Sequence, residues 1–220
     1  EICACLVGSE MCIRDRYSLD ELKEYLNSIG EKPFRAKQIY EWLHQKLVEC
    51  FDDMTNISNN LKEKLNNDFY IQSLEMVQVL TSKIDGTQKF LFRLNDGNVI
   101  ESVLMRYKHG NSVCISTQVG CRMGCRFCAS TLDGLVRNLK PSEMLEEIYY
   151  IQRYSKERVS NIVLMGSGEP MDNFDNVLAF VKTISDENGL HISQRNITIS
   201  SCGIVENIYR CLLYTSPSPR

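Results

Sequence analysis

The chain has 220 residues, with 25 Lys and Arg against 28 Asp and Glu for a net charge of −3. Hydrophobic content of 43% and charged content of 24% belong to a folded globular protein and exclude a disordered one. The charge balance excludes a uniformly basic nucleic-acid glove but leaves RNA open as a partner of a local basic face, and no apolar run approaches the ~18 residues of a membrane span.

In chain order, the first segment does not read as part of a fold. Residues 6–16, LVGSEMCIRDR, can be encoded by a DNA element whose reverse complement encodes residues 211–220, CLLYTSPSPR. One element in inverted orientation at both ends resembles a transposon-type sequencing adapter read through as coding sequence. A signal peptide does not explain the start, because Glu1, Glu10 and the Arg14-Asp15-Arg16 run give neither a basic leader nor an apolar core. Residues 1–16 and 211–220 are therefore expected to be adapter-derived and outside the fold, with the native chain continuing beyond residue 210. The cysteines left between them are Cys50, Cys114, Cys121, Cys125, Cys128 and Cys202, and they cluster instead of spreading as a disulfide framework. With no export signal, that pattern points to a cytoplasmic protein using thiols for metal or redox chemistry.

Residues 17–70 carry helical periodicity. Ser18 followed by Glu21 is a capping box, and Leu19, Leu22, Tyr25, Leu26 and Ile29 share one face. Gly30 ends this helix, Pro33 opens a second with Ile39, Trp42, Leu43 and Leu47, and a third follows Ser58. The positives Lys32, Arg35, Lys37 and Lys46 read either as a solvated face or as a nucleic-acid surface, so 17–70 is assigned as a helical domain of RNA-binding type.

Over 71–110 the period shortens to two. QSLEMVQVLT, TQKFLFRL and NVIESVLM are strand-like, with Asp85-Gly86 and Asp96-Gly97 as turns, which predicts a β-meander linker. From 111 to 210 the plan becomes strand, loop and helix in repetition: SVCISTQ, a helix over 141–155, NIVLMGSG, a helix over 174–186, NITISS and a last helix begun at 204–210. Such repeats imply parallel strands joined by right-handed crossovers. Two or three of them cannot close a barrel, so the expected fold class is α/β. The expected architecture is the first half of a (βα) barrel, preceded by the meander and the helical bundle.

The chemistry gathers at strand ends. Cys121, Cys125 and Cys128 stand as C-x3-C-x2-C in VGCRMGCRFCAS, where Gly120 and Gly124 let the backbone wrap tightly. Three thiolates suit a 4Fe-4S cluster with one iron left open. Structural zinc wants four ligands, and Cys114 is the available fourth, on a strand upstream. Arg122, Arg126, Arg137 and Lys140 against a single acid, Asp133, make a local positive excess over 121–140. These residues either bind RNA phosphate or pair with nearby carboxylates. His44, His109 and His191 stand apart and receive no metal role.

C-x3-C-x2-C followed by a GEP strand end resembles the radical S-adenosylmethionine (SAM) superfamily. More narrowly, VIESVLM, CISTQVGCRMGCRFCAST, GLVRNL, NIVLMGSGEPMDN and NITISSCG, in that order, are similar to the bacterial dual-specificity adenine-C2 RNA methyltransferases. PFRAKQIYEWLHQK and DDMTNIS fit the same family, so the resemblance spans about residues 17–210.

The resemblance implies a radical SAM core over 111–210, with Cys121, Cys125 and Cys128 holding the cluster and SAM chelating its open iron. It implies Gly168 and Glu169 as a SAM-contacting pair and Ser200 as a serine of the SAM pocket. Glu101 would be a proton acceptor, and Cys114 the thiol whose disulfide releases product. Read by themselves, Glu101 is a solvent-facing strand residue, Cys114 a small buried hydrophobe and GSGEP a strand-to-helix turn. The implied reaction parks a methyl group from SAM on a C-terminal cysteine and activates it with a radical from a second SAM. The carbon radical then adds to C2 of an adenine in 23S rRNA or tRNA. The implied partners are those RNAs and an external electron donor, with no membrane and a monomeric full-length protein. No residue here matches the methyl-carrying cysteine, so the chain as written is expected to be inactive. Another radical SAM enzyme, or a zinc-binding RNA module without catalysis, are the remaining readings.

Overall fold

The computed structural model describes residues 11–16 and 18–214. They divide into two units: one runs to Ser73 and takes in Thr183–His191, and the other holds Leu74–Lys182 and resumes at Ile192.

The first unit is helical. It contains β1 (Met11–Cys12), α1 (Ile13–Arg16), α2 (Leu19–Ser28), α3 (Phe34–His44), α4 (Asn59–Asp68) and β2 (Phe69–Tyr70). The capping box forms: Ser18 N donates to the Glu21 carboxylate at 2.9 Å, and Glu21 N donates to Ser18 Oγ at 3.4 Å. Ser58 caps α4 in the same way through Leu61 N. The apolar faces meet in a core built from Leu22, Leu26, Ile39, Leu43, Phe51, Leu61, Leu65 and Phe69.

Cys12, Ile13 and Arg14, which the sequence reading sets outside the fold, are buried in this unit. β1 pairs in parallel with β2, and the Arg14 guanidinium donates to the carbonyls of Leu43 at 3.1 Å and Val48 at 2.9 Å. Packing follows the chemistry of a segment and not its origin. An apolar Cys-Ile pair fills an open groove, and a guanidinium with several donors satisfies carbonyls that the helix ends leave free. Residues 1–10, 17 and 215–220, which include most of the two proposed adapter segments, lie outside the described residues.

The second unit is built on one six-stranded sheet. Its elements are β3 (Glu75–Thr81), β4 (Gln88–Arg93), β5 (Val99–Tyr107), β6 (Gly110–Ile115), β7 (Gln118–Gly120), β8 (Leu135–Asn138), α5 (Pro141–Ser155), β9 (Val159–Leu164), α6 (Phe174–Ser185), β10 (Ile197–Ile199) and α7 (Val205–Tyr214). The strand order is β10-β9-β6-β5-β4-β3. β3 to β6 are antiparallel neighbours, whereas β6, β9 and β10 run parallel. The meander expected as a linker is thus continuous with the parallel half, and β6 is the strand they share. Its partner β5 arrives by a tight turn and its partner β9 by the α5 crossover. The sheet is open, as half a barrel must be. α5 is buried along most of its length and sets Tyr150 edge-on to Phe92 and Tyr154 edge-on to Phe90, with centroids 5.1 and 5.4 Å apart.

Candidate functional site

At the end of β6 the chain leaves the sheet through Ser116 and Thr117 into the β7–β8 ribbon, whose connecting loop carries the three cysteines. Gly120 closes the base of this loop. Its φ is +73°, and a Cβ there would lie 2.0 Å from the carbonyl oxygen of Gly134, so no other residue fits. Cys121 N donates to that same oxygen at 3.0 Å, and Cys128 N turns back to Cys125 O at 3.1 Å. All three thiols are free of disulfides; Cys121 is buried, Cys125 and Cys128 are half-buried. Burial pushes the Cys121 thiol up from its ordinary value, and the negative charges of Cys128, Cys125 and Glu169 add to the shift. The three cysteines and Glu169 therefore share one electrostatic neighbourhood.

Glu169 comes from the turn after β9. That turn lies against the start of β7: Thr117 N and Gln118 N donate to Ser167 O at 2.8 and 3.1 Å. Gly168, with φ +105°, touches it so closely that a Cβ would lie 2.6 Å from Gln118 Cβ. Glu169 is buried; its Oε1 accepts from Met171 N at 3.0 Å and its Oε2 from Cys202 N at 2.7 Å. Ser200 lies just past β10, its N–H on Leu164 O at 3.3 Å. The residues expected around SAM thus sit together at the ends of β9 and β10.

The sequence alone gives Cys202 no role, yet it is part of this neighbourhood. Desolvation first, then the adjoining Glu169 carboxylate, push its thiol up to about 11. The signal available was its place two residues after Ser200, which carries meaning only once β10 pairs with β9.

Glu101 and Cys114 lie on one face of the sheet, away from the cysteine loop in sequence. Val103 is opposite Cys114, and Glu101 is two residues before Val103, so all three side chains share a face. Lys89, across from Val103 on β4, reaches Glu101 with its Nζ 2.7 Å from Oε1. Burial pushes the Cys114 thiol up, and the Glu147 carboxylate adds to it. Of the basic loop residues, Arg122 pairs with Asp172, and Arg137 with Glu143 at 2.8 Å and Asp96 at 2.5 Å. For these two, pairing with carboxylates is the reading the structure supports.

Among the described residues, no three His, Cys, Asp or Glu side chains converge tightly enough to hold a single metal ion. A four-iron cluster makes a different demand, since each thiolate binds a different iron and the donors stand wider apart. Three free thiols in one loop pinned at its base, with a buried carboxylate beside them, fit that group.

Comparison with known proteins agrees. Residues 115–212 match the model of the radical SAM superfamily, and residues 16–71 match that of the ribosomal RNA large subunit methyltransferase N-terminal domain. Over residues 115–212 the fold and the cysteine loop are those of the radical SAM superfamily. A solved radical SAM methyltransferase from Sphaerobacter thermophilus superposes with a TM-score of 0.84 at 37% identity, covering 91% of this chain and 60% of that one. Two curated relatives bear the name "Probable dual-specificity RNA methyltransferase RlmN". The one from Lachnospira eligens is 63% identical over 86% of this chain and 54% of its own length. The one from Lachnoclostridium phytofermentans is 65% identical over 86% and 53%. The chain is similar to these relatives over most of its length and spans about half the length of each.

Proposed function

We propose that the protein is a radical SAM RNA methyltransferase that places a methyl group on C2 of adenine in 23S rRNA and tRNA, in the cytoplasm. The observation that carries this reading is the shared neighbourhood of Cys121, Cys125, Cys128 and the Glu169 carboxylate at the ends of parallel strands. The three cysteines would hold a 4Fe-4S cluster, with Gly168, Glu169 and Ser200 around the methionyl end of SAM. When bound, the cluster supplies one electron to SAM, drawn from an external donor. C2 of adenine is electron-poor and has no usable lone pair, which is why a cofactor-derived radical suits it better than polar transfer.

The chain's own residues place and receive. Two backbone N–H groups orient the Glu169 carboxylate and leave lone pairs for the SAM ammonium. Gly168, without a side chain and at a positive φ, lets the turn pack against Gln118 and so sets the Glu169 that follows it. Glu101, steered by Lys89, is the proton acceptor on the sheet face that also bears Cys114. Cys114 would be the thiol that attacks the sulfur of the methyl-carrying cysteine, a residue outside this chain. The new S–S bond replaces the S–CH2 bond to the adenine adduct, and the electron pair leaves with the carbon, which takes a proton to become the methyl group. A stacked adenine must be extruded before it can reach this face.

Anaerobic reconstitution tests the reading. The chain should take up iron and sulfide in the 4Fe-4S ratio, Cys125→Ala should lose them, and Cys50→Ala should keep them. Full retention in Cys125→Ala removes the cluster assignment. Extended to the length of its relatives and given SAM, reductant and protein-free 23S rRNA, the protein should yield 2-methyladenosine by mass spectrometry, and the chain as written should not.

A further inference from the structure

One buried side chain beside Glu169 has no role in the account above. Gln118 is fully buried at the start of β7. Its Oε1 accepts from Glu169 N at 2.8 Å, and its Nε2 donates to Asp172 Oδ2 at 2.9 Å and to Asn138 Oδ1 at 2.8 Å. Glu169 and Asp172 are two points of the turn after β9, and Asn138 ends β8, so one carboxamide joins three positions on two segments. Asp172 also receives Arg122, the neighbour of Cys121 in the loop. Glu169 passes the connection on to Cys202 N beyond β10. A buried amide used in this way is polar in both directions: it offers an acceptor to the turn's N–H and donors to its carboxylate. No apolar side chain of the same size reproduces that, and neither does a carboxylate.

We propose that Gln118 is the positioning residue of the SAM site, fixing Glu169 for the methionyl ammonium and, through Asp172 and Arg122, holding the cysteine loop in step with it. The inference rests on the assignment of Glu169 made above. Outer residues that orient a ligating group commonly change affinity about 10- to 100-fold when lost.

The test uses the reconstituted 220-residue chain, with SAM itself as the probe. Two quantities are read: SAM affinity by calorimetry, and the change that SAM makes in the electron paramagnetic resonance spectrum of the reduced cluster. Gln118→Glu keeps an acceptor for Glu169 N but turns a carboxylate toward Asp172. It should retain iron and sulfide, bind SAM about 10- to 100-fold more weakly, and lose the spectral change. Adding Asp172→Asn restores a donor facing the new carboxylate and still leaves an oxygen for Arg122. The double variant should recover both readouts, which a general loss of packing would not allow. Asp172→Asn alone, offered in case Gln118→Glu does not fold, sets two donors against each other and should also weaken SAM binding. Binding by Gln118→Glu within twofold of the parent, or a double variant no better than the single one, overturns the inference and leaves the functional reading standing. A parent chain that holds its cluster but binds no SAM overturns both.

Discussion

Glu147 shows how a single side chain is placed where its ionised form is costly. It is fully buried on α5; its Oε2 accepts from Ser102 Oγ and from Ser116 N at 3.0 Å, and its Oε1 has no partner among the described residues. Burial, with a smaller addition from Glu143, holds this carboxyl well above its ordinary value of 4.5, against the lowering effect of its two hydrogen bonds. The folded state therefore keeps a proton that the unfolded chain releases. The associated stability is fully present below 4.5 and is lost as pH rises through the folded-state value. Ser116 links this acid to the site, since its Oγ donates to Glu101 O at 2.8 Å and accepts Ser167 N at 3.1 Å. Glu147→Gln keeps the acceptor and makes the group neutral at every pH. Thermal unfolding followed by circular dichroism between pH 5 and 8 should show a melting temperature that falls with pH in the parent and much less in the variant. Glu147→Ala should cost about 1–3 kcal/mol, because it leaves Ser102 and Ser116 N buried without a partner. Equal pH slopes in parent and Glu147→Gln would show that the carboxyl is ionised in the fold.

Between elements, Arg137 does what the capping box does within one. From β8 it makes a two-pronged pair with Glu143 in the first turn of α5 and reaches Asp96 in the β4–β5 turn. The Arg137 guanidinium pulls Asp96 down to about 2, so this pair's contribution is present above 3.8 and fades as pH falls through 2. The Glu143 side chain is 6% exposed and that of Arg137 29%. Arg137→Ala should cost about 2–3 kcal/mol, below the 3–5 of a fully buried pair because water still reaches the guanidinium. Arg137→Lys should recover part of it, lacking the fork. In a filter-binding titration the same alanine variant should leave the salt slope of RNA binding unchanged, and a flattened slope would return Arg137 to the phosphate-contacting set. This outcome also marks the limit of what could be read in the chain. Helix starts at Ser18, Ser58 and Pro141, the strand periods and the cysteine spacing are local signals, and most elements lie where those signals put them. SVCISTQ, expected as one strand, instead breaks at Ser116 and Thr117 into β6 and β7, and β8 pairs with β7 unannounced. Arg137 was ambiguous because its partners are 41 positions before and 6 after it. Gln118 and Cys202 carry no local signal for the same reason: their meaning comes from the packing of β7 on the turn after β9 and from the pairing of β10 with β9. The buried place of Ile13 and Arg14 depends on a groove that only the assembled helices create.

At the scale of the whole sheet, one side of the second unit is left uncovered. β10 is three residues long and pairs with β9 alone among the described residues. α7, next along the chain, is held to α6 on one side: Arg210 donates to Asp175 at 2.9 Å and sits over the Phe174 ring at 4.2 Å. On its outer side Val205, Tyr209 and Leu212 recur at i, i+4 and i+7 and are 61%, 68% and 59% exposed. That spacing makes an apolar stripe along the helix, whose last member, Leu212, falls in the segment assigned to the adapter. An unpaired parallel edge beside such a stripe is a template for association with another copy. Sedimentation or light scattering should show the 220-residue chain gaining mass with concentration in the micromolar range. Tyr209→Lys with Leu212→Lys puts two charges on the stripe without touching the sheet, and should return the chain to a monomer with its helix content unchanged. A form extended to the length of the relatives should be monomeric without those substitutions, because its additional chain would cover the same face. If the chain as written stays monomeric at about 100 µM, the stripe is not sticky and the open edge is protected by its shortness alone.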